Sequence, residues 1–287
     1  MLNLPSPGDI KALAFDLDGT ILAPGAVLSE RTITAVNRCM KRGLKIIIAT
    51  GRAIEAAEPF RVSLGAEGPM IYYNGAVIAE FSQKIPAEMP EARIIKTTLL
   101  DKKKAEICVD ISREMGVYCQ IYVFNGKKIP LLTERDRPEK EMYYKHTGIL
   151  AELADLKEAI GRTEVSGCVK VMFLAEPEIF AKLRPRLDEL LGDSIYITQS
   201  HRTFLEVMDA KVSKGKGLSF VMERLSLERD EVIAFGDEEN DIPMFASAGF
   251  SVAPSNAKDS VKATASLVVG SNVDDGVAAF LEEYFSL

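Results

Sequence analysis

The sequence is short of the residues that several kinds of chemistry require. Its 287 residues include two histidines, His146 and His201. Neither stands beside a partner suited to His-based catalysis, so a core or surface role is expected for both. The four cysteines, Cys39, Cys108, Cys119 and Cys168, are scattered with no CxxC pair. That spacing speaks against a zinc site or a disulfide framework and for buried thiols. No run reaches the roughly 18 apolar residues of a membrane span. The opening MLNLPSPGDIK lacks the basic region and long apolar stretch of a signal peptide. A cytoplasmic protein with no membrane partner is therefore expected. Positive charge is in deficit too: 35 Lys and Arg face 42 Asp and Glu, a net charge of −7. This balance gives no electrostatic reason to bind nucleic acid. The run Lys102-Lys103-Lys104 lies in a helical pattern with Asp101 and Glu106 and reads as a solvated helix face. Internal repeats and low-complexity tracts are missing as well.

What is present is ordinary globular material, 47% hydrophobic and 27% charged, at a length that as a loose prior means about two domains. Strand and helix patterns alternate from the start. Lys11 to Phe15 is a short apolar run of the kind buried on both faces of a parallel sheet. Ser29 to Arg42 reads as a helix capped by Ser29 and stopped by Gly43. Leu44 to Ala49 is a second strand, and Ala53 to Leu64 a helix. Asn74-Gly75 between two apolar runs is a two-residue hairpin signal. From about residue 83 the rhythm changes. A Pro-rich stretch, Ile85 to Arg93, reads as a connection. Helices are expected over Thr98–Glu114, Ile149–Ile160 and Glu178–Leu191, mixed with a hairpin at Asn125-Gly126 and strands at Cys168–Ala175, Ser194–Thr198 and Thr203–Met208. From about 213 the first rhythm returns, with a helix over Ser213–Leu225 and a strand over Glu231–Phe235. Short strands at Ser251–Ala253 and Leu267–Val269 and helices over Asn256–Thr264 and Asp274–Phe285 complete it. The economical reading is an α/β protein: a parallel-sheet domain made from 1–83 and 201–287, with an α+β domain, 84–200, inserted between its halves.

Three apolar strands end in polar residues. The first runs into Asp16-Leu17-Asp18-Gly19-Thr20, the second into Thr50-Gly51-Arg52, and the third into Gly236-Asp237-Glu238-Glu239-Asn240-Asp241. Open α/β sheets bind ligands beyond the carboxyl ends of their strands, where the topology switches. If the three strands are neighbours, Asp16, Asp18, Asp237 and Asp241 converge. Two carboxylates about 4 Å apart repel by roughly 4 kcal/mol at an effective dielectric near 20, so protons or a cation must compensate. All-oxygen ligands point to Mg²⁺ or Mn²⁺, and Mg²⁺ shares its shell readily with phosphate oxygens. Asp16 and Asp18, two apart, would project to one side of an extended segment, one to attack phosphorus and the other to handle a proton. Gly19 permits a tight turn. Thr50 and the Gly51 amide can hold phosphate oxygens, and Lys214, opening a helix capped by Ser213, is the best cation for the phosphate. Blander roles compete: an N-cap for Thr50 or Asp241, a surface position for Lys214 with Lys211 and Lys216 as rivals, a surface ion pair for Arg52. Tyr72, Tyr73, Tyr143 and Tyr144 read as core aromatics.

These segments, in this order, resemble the four motifs of the haloacid dehalogenase superfamily: DLDGT, a Thr after the second strand, an isolated Lys, and GDEEND. Asn74-Gly75-Ala76, the insert and LEVMDAKVSKGKGL resemble its Cof-type subclass, with a class IIB cap. The resemblance covers nearly the whole chain. It implies a Rossmann-like core with an inserted cap, and a Mg²⁺-dependent phosphatase of small phosphorylated metabolites, sugar phosphates foremost. Asp16 would be nucleophile and metal ligand, and Asp18 general acid/base and metal ligand through its carbonyl. Thr50, Gly51 and Lys214 would bind phosphate, Asn240 would touch phosphate or nucleophile, and Asp237 and Asp241 would hold the metal. The cap would close over the site and select the leaving group, in a monomer or small homo-oligomer. A sugar phosphomutase on the same scaffold is the alternative. A phospho-accepting signalling module is disfavoured by chain length and the insert.

Overall fold

The computed structural model describes residues 4–81 and 92–287. In chain order they form β1 (Ala12–Phe15), α1 (Glu30–Lys41), β2 (Lys45–Ile48), α2 (Ile54–Leu64), β3 (Gly68–Tyr72), β4 (Val77–Phe81), β5 (Arg93–Thr97), α3 (Lys102–Met115), β6 (Tyr118–Phe124), β7 (Leu131–Thr133), α4 (Pro138–Thr147), β8 (Glu152–Leu153), α5 (Leu156–Gly161), β9 (Gly167–Leu174), α6 (Pro177–Leu191), β10 (Ile195–His201), β11 (Phe204–Asp209), α7 (Lys214–Leu225), β12 (Val232–Phe235), α8 (Ile242–Ser247), β13 (Phe250–Pro254), α9 (Asp259–Lys262), β14 (Leu267–Val269) and α10 (Gly276–Tyr284). Among the described residues no helix is long and apolar enough to cross a membrane. The chain divides into two compact units, Met1–Ile95 with Ser213–Leu287, and Lys96–Val212. The expected cut at 200/201 falls inside the second unit's sheet, because β10 and β11 pair from Ile195↔Asp209 to His201↔Phe204. Of the expected connection Ile85 to Arg93, all but the last two residues lie outside the described residues; Arg93 opens β5.

The first unit is built on a parallel sheet in the order β14-β13-β12-β1-β2. Strand β1 is central, paired in parallel with β12 (Phe15↔Phe235) and with β2 (Phe15↔Ile48). Its four residues, ALAF, are wholly buried, as expected of a strand covered on both faces. Phe15 stacks on Phe235 with ring centroids 4.6 Å apart, and burying each such ring contributes about 1.5–3 kcal/mol. Helix α1 forms as its sequence dictates. The Ser29 hydroxyl accepts from the Thr32 amide at 3.0 Å, and Thr32, Ala35, Val36 and Cys39 make one buried stripe. Beyond β2 an isolated parallel bridge, Ala49↔Ile71, leads to a separate sheet in the order β3-β4-β5, and the Thr50 amide donates to the Ile71 carbonyl at 2.9 Å. The connection from β3 to β4 is longer than a two-residue hairpin turn. Pairing closes at Tyr72↔Val77, and Tyr73, Asn74 and Gly75 all have positive φ, at 49°, 58° and 99°.

In the second unit a sheet in the order β10-β11-β9-β6-β7-β8 carries helices α3, α5 and α6 on one face. Cys119, Ile121, Val171, Phe173 and Leu205 from the strands pack with Cys108, Leu156 and Leu183 from the helices. All four cysteines are buried, and burial pushes the thiols of Cys39 and Cys168 up to about 12. Several expectations change here. The helix expected over Ile149–Ile160 is instead the short strand β8 followed by α5, which Asp155 caps through the Glu158 amide at 2.8 Å. Helix α4, begun by Pro138 at its first turn and ended by Gly148, was not expected, because PEKEMYYKHT has no apolar stripe and buries only Tyr143. Tyr143 bonds Tyr122 through the hydroxyls at 2.8 Å. Tyr144 beside it is exposed, not core. The two histidines lie ring to ring, centroids 5.1 Å apart, both against Phe204. Nor is the lysine run only a solvated face, since Lys104 donates to the Ser194 carbonyl at 3.1 Å.

Candidate active site

The register of the first unit's sheet places its three polar strand ends side by side. The Asp16 amide donates to the Phe235 carbonyl at 2.9 Å, and the Ala49 amide to the Phe15 carbonyl at 2.8 Å. Asp16, Thr50 and Asp237 thus leave adjacent strands on one edge, where a doubly wound sheet opens its crevice.

Lys214 comes to this edge at the start of α7. The Ser213 hydroxyl caps that helix, accepting from the Gly215 amide at 3.2 Å. The Lys214 side chain is 1% exposed and donates to Asp16 Oδ1 and Asp241 Oδ1, each at 2.6 Å. A lysine so deeply buried is uncommon unless paired. Burial works against its charge, but Asp16 and Asp241 outweigh it and hold the ammonium above its usual range. The rival lysines do not take this place: Lys211 and Lys216 are both exposed.

Asp241 stands at the N-cap position of α8, but its side chain does not cap that helix. Its Oδ2 turns back to accept from the amides of Asp237 and Glu238, both at 3.0 Å, as part of a capping box closing the turn Glu239–Asp241. Asp237 accepts from the Thr20 hydroxyl at 2.8 Å. At Gly19, with φ of +77°, a Cβ would run into the Asp237 carboxylate, so only glycine fits between the two motifs. The Gly19 carbonyl is held by Asn256 Nδ2 at 2.8 Å.

Asp16, Asp237 and Asp241, all buried, each offer an oxygen within 4.8 Å of the other two. Burial, more than the neighbouring carboxylates, raises the Asp16 carboxyl well above its ordinary value despite Lys214. Burial and then Asp241 raise Asp237 to about 7. Around Lys214, three carboxylates against one ammonium leave an excess of negative charge in a water-poor place. A divalent cation cancels that excess, and an all-oxygen donor set suits Mg²⁺. The residues present therefore fit the ion.

Asp18 is outside this cluster. Its carboxylate is 55% exposed and held by Arg52 in a two-point pair, Nη2 to Oδ1 at 2.6 Å and Nε to Oδ2 at 2.7 Å. The ion pair weighed for Arg52 exists, and its partner is a residue of the site. Thr50 is buried, and its hydroxyl accepts from the Arg52 amide at 3.1 Å. Gly51 lies between it and Arg52, three residues before α2 begins at Ile54, so neither Thr50 nor Gly51 is part of the helix terminus expected to present them. Asn240 donates through Nδ2 to Asn74 Oδ1 at 2.9 Å. All the expected site residues thus belong to the first unit. Thr20, Asn74 and Asn256 join them without having been expected. The first two stood inside the quoted DLDGT and Asn-Gly-Ala segments, whereas nothing in the sequence marked Asn256.

Comparison with known proteins gives the same outline. The model of the haloacid dehalogenase-like hydrolases matches residues 13–281, a span containing every residue just described. The 5-amino-6-(5-phospho-D-ribitylamino)uracil phosphatase YitU of Bacillus subtilis is 28% identical over 281 residues, covering 96% of this chain and 97% of its own. The pyridoxal phosphate phosphatase YbhA of Escherichia coli is 28% identical over 281 residues, covering 94% and 97%. The crystal structure of a haloacid dehalogenase-like hydrolase from Bacteroides thetaiotaomicron has the same fold, with a TM-score of 0.82 at 23% identity over 96% of this chain and all of that one. By the extent of the family match, this chain belongs to the haloacid dehalogenase-like hydrolases.

Proposed function

We propose that the chain is a Mg²⁺-dependent phosphatase of small phosphorylated metabolites, working through a phosphoryl group carried on Asp16. The observation behind this reading is the buried meeting of Asp16 with Lys214, Asp237 and Asp241, which couples a nucleophile to an excess of negative charge. An Asp16 oxygen attacks phosphorus, the ester P–O bond breaks, and the leaving oxygen takes a proton from Asp18. Water, giving its proton to Asp18, then cleaves the acyl phosphate to inorganic phosphate and restores Asp16. Lys214 holds Asp16 in place and neutralises phosphoryl charge, while Thr50, Gly51 and Asn240 position the phosphoryl oxygens. Mg²⁺, held by Asp16, Asp237, Asp241 and the Asp18 carbonyl, would screen the carboxylate from the phosphoryl oxygens as they approach. For Asp18 to transfer protons, its pair with Arg52 must loosen or be shared. Arg52 therefore sets the readiness of the acid/base. The relatives' named substrates, a ribitylaminouracil phosphate and pyridoxal phosphate, support small phosphomonoesters as the class, with sugar phosphates included. We assign leaving-group selection to the unit Lys96–Val212.

The test is a panel of phosphomonoesters, including sugar phosphates and pyridoxal phosphate, assayed with Mg²⁺ and with EDTA. Phosphate release that needs the metal and disappears in Asp16→Asn is expected. Turnover persisting in Asp16→Asn would end the covalent reading, and an isomerised sugar phosphate without net phosphate release would make the enzyme a mutase.

A further inference from the structure

The turn between β3 and β4 is over-built for a hairpin connection. Three successive residues in the left-handed region include Tyr73, a bulky side chain that rarely adopts it. Such strain persists only where surroundings impose it, and it concentrates at functional sites. Here the surroundings are the candidate active site. The Tyr73 amide donates to the Arg52 carbonyl at 3.1 Å and the Asn74 amide to the Thr50 carbonyl at 3.0 Å, so the turn straps down the loop carrying Thr50 and Gly51. A Cβ on Gly51 would meet the Asn74 side-chain amide, at 2.9 Å from its oxygen. A Cβ on Gly75 would run into the Ser213 carbonyl, beside Lys214. The Asn74 side chain reaches residue 240 across the chain, accepting from Asn240 Nδ2. One turn therefore touches three of the four segments that build the site.

Asn240 itself is bonded in an unusual way. Among the described residues its Oδ1 is buried without a hydrogen-bond partner, while its Nδ2 serves Asn74. Buried acceptors are rarely left so, and each that is calls for an explanation. An amide nitrogen carries two N–H donors, and fixing one leaves the direction of the other determined.

We propose that Asn74 is a positioning residue of the phosphate site. Its amide oxygen locks the Asn240 amide so that the second N–H of Asn240 is presented to a phosphoryl oxygen. This assignment rests on the phosphatase reading above and adds to it a residue that touches no reacting atom. Released from Asn74, the Asn240 amide can turn its oxygen toward phosphate, replacing a donor by an acceptor facing negative charge.

The experiment is a double-mutant cycle with p-nitrophenyl phosphate and Mg²⁺, inorganic phosphate as competitive inhibitor, and a thermal melt on every variant. Asn74→Gly keeps a backbone suited to φ near +60° and removes the amide. We expect an unchanged melting midpoint, kcat lower by about 10- to 100-fold, as for other misplacements of about 1 Å, and weaker phosphate inhibition. Asn240→Ala should lose a similar factor, and the double variant should be no worse than Asn240→Ala alone. Asn74→Asp, which still accepts from Asn240 Nδ2 and tolerates the same φ, should keep kcat within about threefold while its added charge raises KM. It also decides the matter should Asn74→Gly not fold. A folded Asn74→Gly with parental kcat, losses that multiply in the double variant, or Asn74→Asp as damaged in kcat as Asn240→Ala would each overturn the proposal. A parent enzyme that releases no phosphate with Mg²⁺ would instead remove the functional reading, and this assignment with it.

Discussion

Each of the two units buries a lysine, and the two lysines differ in what surrounds them. In the second unit Lys170 on β9 meets Glu206 on β11 at 2.8 Å, 3% and 2% exposed, with the Tyr122 ring 5.7 Å away. They sit diagonally on one face of adjacent antiparallel strands, within reach of each other as same-face neighbours are. In the first unit Lys214 meets both Asp16 and Asp241, and Asp237 completes a cluster of three carboxylates. Burial alone does not distinguish the two, and neither does the presence of an ion pair. The three carboxylates do: one ammonium among them leaves negative charge to be met from outside. The functional inference belongs to the second arrangement for that reason.

That contrast can be broken in several ways. Asp16→Asn should have the largest effect, lowering phosphate release by about 10⁴-fold or more, as loss of a covalent nucleophile does, with a melting midpoint no lower than the parent's because a buried charge has gone. Lys214→Met should cost about 10²–10³-fold in kcat, the scale seen when one charge-stabilising donor is removed. The corresponding change in the other unit should appear as stability. Lys170→Met removes the ammonium 2.8 Å from buried Glu206 and should cost about 3–5 kcal/mol in denaturant unfolding, whereas Lys170→Met with Glu206→Leu should recover most of it. Should the double replacement stay as unstable as the single, the ion pair is not what sets the cost.

The smallest effect concerns pH. Asp237 has a folded-state pKa of about 7, above the unfolded value near 3.9, and Asp16 is raised in the same direction. For such groups the folded state binds more protons. Their contribution to stability is fully present below the unfolded pKa and is lost as pH rises through the folded one. The metal-free protein should therefore lose stability between about pH 4 and pH 7. Mg²⁺ at a hundredfold excess over its Kd should raise the melting midpoint by about 5–10 °C at pH 8 and far less at pH 5. A metal-induced shift independent of pH would mean that these carboxylates are not where the ion binds.

Much of the first unit was legible because its strands are short, apolar but for Lys45, and abruptly ended. ALAF runs straight into Asp16, KIII through Ala49 into Thr50, and VIAF through Gly236 into Asp237, and the parallel register does the rest. The geometry that remained hidden depends on contacts between distant segments. Asp18 and Asp16 were expected on one side, yet Asp16 turns to Lys214 while Asp18 lies against Arg52, a partner no spacing rule could supply. Asn74-Gly75 carries the composition of a two-residue turn, and only its packing on Gly51 and Ser213 makes it something else. In the second unit the hidden elements lack a strong pattern of their own. Helix α4 has no buried stripe. Strand β5, RIIKT, which closes the first unit and enters the second, is nowhere fully buried, so its alternation carries little signal. The histidines, 55 residues apart in sequence, meet only because α4 lies by the end of β10.

The most direct test of the account is a calorimetric titration of the metal-free protein with Mg²⁺ at pH 7.5, repeated on Asp237→Asn with Asp241→Asn. One ion bound per chain in the parent and none in the double variant is the predicted result. No binding by the parent, or binding undiminished after both carboxylates are neutralised, would contradict the claim that the excess negative charge beside Lys214 is there to hold a divalent cation.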